Sequence, residues 1–210
     1  MGSCPPAGAV AEILGLRGWK GVEEEVVRVM GCDPAHGWPH VVRVAGWAEK
    51  ILKAEKLEID RLVLYFAVVV HDVGRGLEGE GHHAVKSARW AEEALRRLGM
   101  EMLSDNVVHA ILAHSYSLGV KAETLEAKVL SDADKLDALG AVGVARVFHY
   151  GCQLGRQFED GIEHAREKLL RLPQLMHFPY SRRAATELAR RLQVFFEWLE
   201  EELGADNVKL

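Results

Sequence analysis

Imidazole and carboxylate groups recur along this chain in an order that suits a metal site. His40 comes first, then the dipeptide His71-Asp72, then the acid-rich run LSDADKLDALG with Asp132, Asp134 and Asp137. His40 and His71 are 31 residues apart, and Asp72 and Asp134 are 62. Imidazole nitrogen and carboxylate oxygen together suit a divalent transition ion. Neighbouring residues of a regular helix point about 100° apart. His71 and Asp72 can therefore serve one ion only where the backbone departs from a regular helix. The stretch VVVHDVGRG supplies that departure, because Gly74 and Gly76 follow at once and allow both a turn and a close approach of other groups.

The elements that must hold these residues read as helices. Residues 20–30 mix acids and apolar residues at helical spacing, and Gly31 ends them. Residues 38–56 carry an apolar stripe at 41, 44, 45, 48, 51 and 52. Asp60 is a suitable N-cap for a helix from 61 to about 72. Further helices are expected near 82–98, from a Ser104 cap to about 115, over 123–138 and 141–150, near 160–171, and from Ser181 to about 203. Gly151, Gly155 and Gly161 are read as a polar loop. VLYFAVVV is the one β-rich run, but nothing else in the chain could pair with it, so a buried central helix is expected there. The fold class is all-α, a single-domain helical bundle. Its expected divisions are an N-terminal helical extension over 1–32, the main domain over 33–203 and a tail over 204–210.

Composition narrows the function. A length of 210 residues with 49% apolar composition suits one globular domain. A net charge of −5 gives no global footprint for a nucleic acid polymer. The longest apolar run, Leu62 to Val70, falls short of the roughly 20 residues of a membrane span. The start MGSCPPAGAV lacks the charge and apolar core of a signal peptide. A cytoplasmic location follows as the expectation. Three cysteines, Cys4, Cys32 and Cys152, far apart and without CxxC spacing, argue against a disulfide framework or a cysteine zinc site.

The ordered set resembles the H…HD…D signature of the HD superfamily of metal-dependent phosphohydrolases. HGWPHVVRV (36–44), HDVGRG (71–76) and HAVKSA (83–88) are similar to the family's successive blocks, and SDADKLDALGAVGVAR (131–146) to a block of its small stand-alone members. The resemblance implies an HD-domain bundle with the metal site between central helices, and the ligands His40, His71, Asp72 and Asp134. It selects Asp134 because the family's ligand directly precedes a basic residue and a leucine, here Lys135 and Leu136. Asp137 lies on roughly the same helical face and could support it. Members with two metals draw further histidines from the regions of His83 and His114, so these two are read as second-metal ligands or phosphate contacts. His109, five residues before His114, lies on another face.

The implied cofactor is a divalent ion (Mn, Co, Ni, Fe, Mg or Zn), one expected and two allowed. It would activate water for attack on phosphorus, with Asp72, Arg43 and Lys135 as catalytic residues. Arg75, His83, His114 and Arg146 would contact the phosphate, because guanidinium and ammonium groups are its natural donors. The expected substrate is a small phosphorylated metabolite, a nucleotide above all, cleaved by a triphosphate pyrophosphohydrolase or a nucleotidase. The alternatives are a dinuclear phosphodiesterase of cyclic nucleotides and a non-catalytic module that retains the metal. A homo-oligomer is compatible with the amphipathic last helix. His36, beside His40, and the more distant His149, His164 and His177 carry no assigned role.

Overall fold

A computed structural model of the protein describes residues 4–204. The described residues form helices and turns with no strand. The chain divides into two compact units, one ending at Asp134 and one beginning at Lys135.

The first unit opens with α1 (Ala9–Ile13), α2 (Lys20–Met30), α3 (Trp38–Glu55) and α4 (Arg61–Val70). A 3-10 turn, Val73–Arg75, leads to α5 (His83–Arg97), and another, Glu101–Leu103, runs into α6 (Ser104–His114). After a third short turn, Tyr116–Leu118, α7 (Leu125–Asp137) begins. Helix α4 is the VLYFAVVV run. Asp60 caps it, its Oδ1 accepting from the amides of Leu62 and Val63 at 2.9 and 3.2 Å. Every residue from Val63 to Val70 is buried. β-branched residues have only a weak helix penalty, and burial on all sides outweighs it. Helix α4 packs against α5 and α6, which also pack on each other.

Two expectations need correction in this unit, and one short helix lies within the expected N-terminal extension without a signal of its own. Ser104 does not cap α6 but is its first helical residue, because the preceding 3-10 turn already supplies helical backbone. The short α1 was not expected, since five residues cannot sustain a helix alone. One buried carboxylate compensates: Glu23 accepts from the amides of Gly8, Val10 and Ala11 at 2.6, 3.3 and 2.8 Å. Burial raises the pKa of Glu23 above the usual carboxylate range, and these hydrogen bonds only partly offset it. The cysteine reading fails as well, because Cys4 and Cys32 are joined in a disulfide with a Cα–Cα distance of 5.6 Å. Cys152 is free and exposed.

The second unit holds α8 (Gly140–Gln153), α9 (Phe158–Glu167), a 3-10 segment Leu169–Leu175 and α10 (Pro179–Leu203). Gly151 and Gly161 lie inside α8 and α9, so the expected polar loop shrinks to the few residues around Gly155. Pro179 rather than Ser181 opens α10. Proline at the first helical position sacrifices an amide that has no helical partner anyway. No described helix is long and apolar enough to cross a membrane.

Candidate metal centre

The turn after α4 shapes the site. His71 continues the helical backbone, and Asp72 leaves it with φ −111° and ψ 5°. This is the departure from regular helix that the adjacent pair requires. The following turn is wedged between two helices. A Cβ on Gly74 would lie 2.1 Å from the carbonyl oxygen of His83, and one on Gly76 would lie 2.3 Å from that of Val29. The Gly74 amide donates to Ser87 Oγ at 2.9 Å. Glycine is therefore required at both positions by close approach. Gly74→Ala is expected to cost roughly 1–3 kcal/mol by overpacking and to weaken metal retention, because His83 must move. Urea unfolding together with the metal content of the purified variant checks this, and an unchanged midpoint would refute the wedge.

Two histidines have their orientation fixed by backbone carbonyls. His71 Nδ1 lies 2.8 Å from Val68 O, and His114 Nδ1 is hydrogen-bonded to Ile111 O. A carbonyl only accepts, so each Nδ1 carries the proton. In both rings Nε2 is then the nitrogen turned inward, and in the neutral tautomer it carries the lone pair. His71 Nε2 stands 3.2 Å from His40 Nε2. His40 Nε2 in turn is 3.4 Å from Asp134 Oδ1 and 3.8 Å from Asp72 Oδ2. On the other side of the same carboxylate, Asp72 Oδ1 faces His83 Nε2 at 3.3 Å and His114 Nε2 at 3.8 Å. That Oδ1 atom is buried and makes no hydrogen bond. A buried, unsatisfied carboxylate oxygen is costly. Set among the ring nitrogens of His83 and His114, it is placed to meet a cation. Two groups of ligand atoms lie within 4.8 Å of one another, His40–His71–Asp134 and His71–Asp72–His114, and either can hold a metal ion. His/Asp donor sets suit divalent ions.

The electrostatics favour the ligating protonation states. Burial lowers the His71 pKa to about 4, outweighing the upward pull of Asp72. Burial also lowers His83, to about 3. Burial alone would raise Asp72, but His114, His71 and Arg75 hold it well below the usual range. Asp134 is likewise held low, chiefly by His40, against the upward push of burial. At neutral pH His71 and His83 are thus neutral and Asp72 and Asp134 ionised, the states that metal binding requires. In metal-stripped protein the depressed His71 has a stability consequence. Below pH 6.5 the unfolded chain takes up a proton that the folded chain refuses until about pH 4. Stability is therefore full above pH 6.5 and falls as the pH drops toward 4, by about 3 kcal/mol for this one group. Urea midpoints of chelated protein between pH 7.5 and 4.5 should fall accordingly, and a flat profile would contradict the burial argument.

The other sequence candidates are placed as follows. Arg75 Nε donates to Asp72 Oδ2 at 2.7 Å, and its Nη2 lies 3.4 Å from His83 Nε2. Arg43 donates to the carbonyl of Pro34. Lys135 is buried, as are Asp132 and Asp137. In the second unit Arg146 donates to Asp137 Oδ2 at 2.9 Å, so Asp137 serves Arg146. The His36 ring centroid is 6.5 Å from that of His40. His109 accepts from the Glu123 amide. His82 was missed. Its Nδ1 caps α5 at the Ala84 amide, its Nε2 lies 2.8 Å from Ser117 Oγ, and its ring lies beside His83 at 4.3 Å. The paired histidines at a helix start were the available signal.

The HD domain family model matches residues 37–139. YpgQ of Bacillus subtilis is 31% identical over 175 residues, which cover 80% of this chain and 84% of the relative. The crystal structure of YpgQ in complex with ADP is similar at a TM-score of 0.69 with 26% identity, covering 92% of this chain and 96% of that one. An HD-superfamily hydrolase from Bacillus thuringiensis is similar at 0.65 with 28% identity, covering 93% and 97%. A predicted HD-superfamily hydrolase from an uncultured Thermotogales bacterium gives 0.60 with 27% identity, covering 91% of each chain. With its family blocks, its helical architecture and its ion-binding donors in agreement, the chain belongs to the HD superfamily and is a metal-dependent phosphohydrolase.

Proposed function

We propose that the substrate is a nucleotide, hydrolysed as a triphosphate between its α and β phosphates or as a monophosphate. The observation that carries this reading is the ADP complex of YpgQ, a relative that this chain matches over most of both lengths. His40, His71, Asp72 and Asp134 are the proposed ligands of one divalent ion. When bound, such an ion neutralises charge on phosphoryl oxygens and makes water more acidic. The carbonyls of Val68 and Ile111 keep His71 and His114 in the tautomer that turns Nε2 inward. Arg75 holds Asp72 from the outer side and is the proposed cationic contact for a phosphate oxygen, with His83 and His114 as further proposed contacts through water. Arg43, Lys135 and Arg146 are carried as additional cations from the family resemblance.

A second reading has one observation in its favour. His83 and His114 both face Asp72 Oδ1, so this carboxylate could bridge two ions, as a phosphodiesterase would use.

A metal-by-substrate screen on chelator-treated protein separates the readings. Mn, Co, Ni, Fe, Mg and Zn are added singly with nucleoside mono-, di- and triphosphates and a generic phosphodiester, and bound metal is counted. Pyrophosphate released from triphosphates supports the pyrophosphohydrolase, and phosphate from monophosphates supports the nucleotidase. Diester cleavage with two equivalents of metal promotes the second reading. Tight metal binding without turnover on any nucleotide would overturn the nucleotide assignment.

A further inference from the structure

Helix α10 carries two stripes, one buried throughout and one that packs in part and leaves its C-terminal half open to solvent. The first, Ser181, Ala185, Ala189, Leu192 and Phe196, is buried. The second runs through Ala184, Leu188, Arg191, Phe195, Trp198 and Glu202. These six recur at alternating steps of four and three, the heptad spacing of a helix–helix seam, and at about 100° per residue they span roughly 80° of the helix surface. At the centre of this stripe Phe195 is 38% exposed and Trp198 is 61% exposed. Arg191 and Glu202, which flank the pair, are also exposed. An exposed tryptophan and phenylalanine on one seam are a large apolar surface to leave in water.

The order of residue types is what selects the occupant. When the stripe meets a copy of itself running antiparallel, Phe195 of each copy lies against Trp198 of the other, and Arg191 of each lies against Glu202 of the other. Two apolar layers then sit between two opposite-charge layers, and the arrangement repeats under a two-fold axis. A C2 interface must be self-complementary in this way, and a parallel pairing would put Arg191 on Arg191 and Glu202 on Glu202. We propose that α10 pairs antiparallel with α10 of a second copy of this chain, with Phe195 and Trp198 as its core and the Arg191–Glu202 pairs setting the register. The patch also continues sideways. The Phe195 ring lies 5.9 Å from that of Phe148, which lies 5.6 Å from that of Phe158. Phe158 on α9 is 55% exposed and, through Phe148, widens a seam that covers about three helical turns, roughly 18 Å, along α10. In the single copy Arg191 rests on Glu187 at 3.0 Å within its own helix, a contact that leaves guanidinium donors for a facing carboxylate.

Sedimentation velocity over a concentration series tests this on the full chain. The expected mass rises from 23.3 kDa toward twice that value. Trp198→Asp should leave a monomer. Arg191→Glu and Glu202→Arg, each at an exposed position, should each weaken the dimer by about tenfold or more, because each creates two like-charge layers. The double variant should recover most of the loss, since it rebuilds both pairs with the signs exchanged. Helical content by circular dichroism confirms that the variants fold. A monomer at every concentration overturns the proposal. So does a dimer indifferent to all three substitutions, or a double variant no tighter than the single ones.

Discussion

Asp72→Ala is expected to abolish metal retention and phosphohydrolysis together while the chain stays helical and folded. Asp72 faces both sides of the site, with Oδ2 toward His40 and Oδ1 toward His83 and His114. Its removal takes away a proposed ligand and the negative charge that a divalent ion would meet between these histidines. The ion's contribution to a phosphoryl transition state is several kcal/mol, so turnover should fall by about a thousandfold or more. Folding is buffered by the neighbours. Oδ1 makes no hydrogen bond to lose, and the Arg75 side chain, 35% exposed, can turn into water when its partner goes. Asp72→Asn keeps the shape and should fail in the same way, which isolates charge from packing. Metal content, turnover on the best substrate and circular dichroism decide the matter. A folded Asp72→Ala protein with normal activity would mean that catalysis lies elsewhere.

Reduction of the Cys4–Cys32 disulfide should be the largest single change in stability. The bond closes a loop of 28 residues along the sequence. Loop-closure entropy for that length is worth roughly 3.5 kcal/mol, which for a chain of this size lowers the melting temperature by roughly 7–14 °C. The comparison is of oxidised protein, protein held with a reductant, and the Cys32→Ser variant. Alkylation before and after reduction supplies the control. One of the three cysteines, Cys152, should react in native protein unfolded without reductant, and all three after reduction. Equal melting temperatures in the three samples, or three alkylated thiols at the outset, would show that the sulfurs are not joined in solution.

The parts of the fold legible in the sequence are those set by local pattern. Helix α4 is the clearest case, since a β-rich run without a pairing partner and with Asp60 before it had one coherent reading, and that helix formed. The end of α2 at Gly31 and the stripe of α3 were legible for the same reason. Elements held by distant residues were not. Helix α1 depends on Glu23, and nothing in AVAEI announces a carboxylate from the next helix. The cysteine pair joins positions whose proximity exists only after the first 30 residues fold. In the site, residue types and order pointed to His40, His71, Asp72 and Asp134, and the structure brings these side chains close together. Their tautomers could not be read, because those depend on which carbonyl each Nδ1 meets. Nor could the choice of Asp137 as the partner of Arg146, since the sequence offers several acids at comparable reach.

The contact of Gly76 with Val29 gives the N-terminal region a bearing on chemistry that its position in the sequence conceals. Helix α2 is a backstop: its last turn presses on the loop that carries Arg75 and, four residues before Gly76, Asp72. A shift of α2 is therefore expected to be felt at Asp72, in the candidate metal site, through the Val29–Gly76 contact. Such a coupling would be reciprocal. Loading the site with metal should tighten α2, and slower amide exchange at Val27–Met30 would be the trace of it.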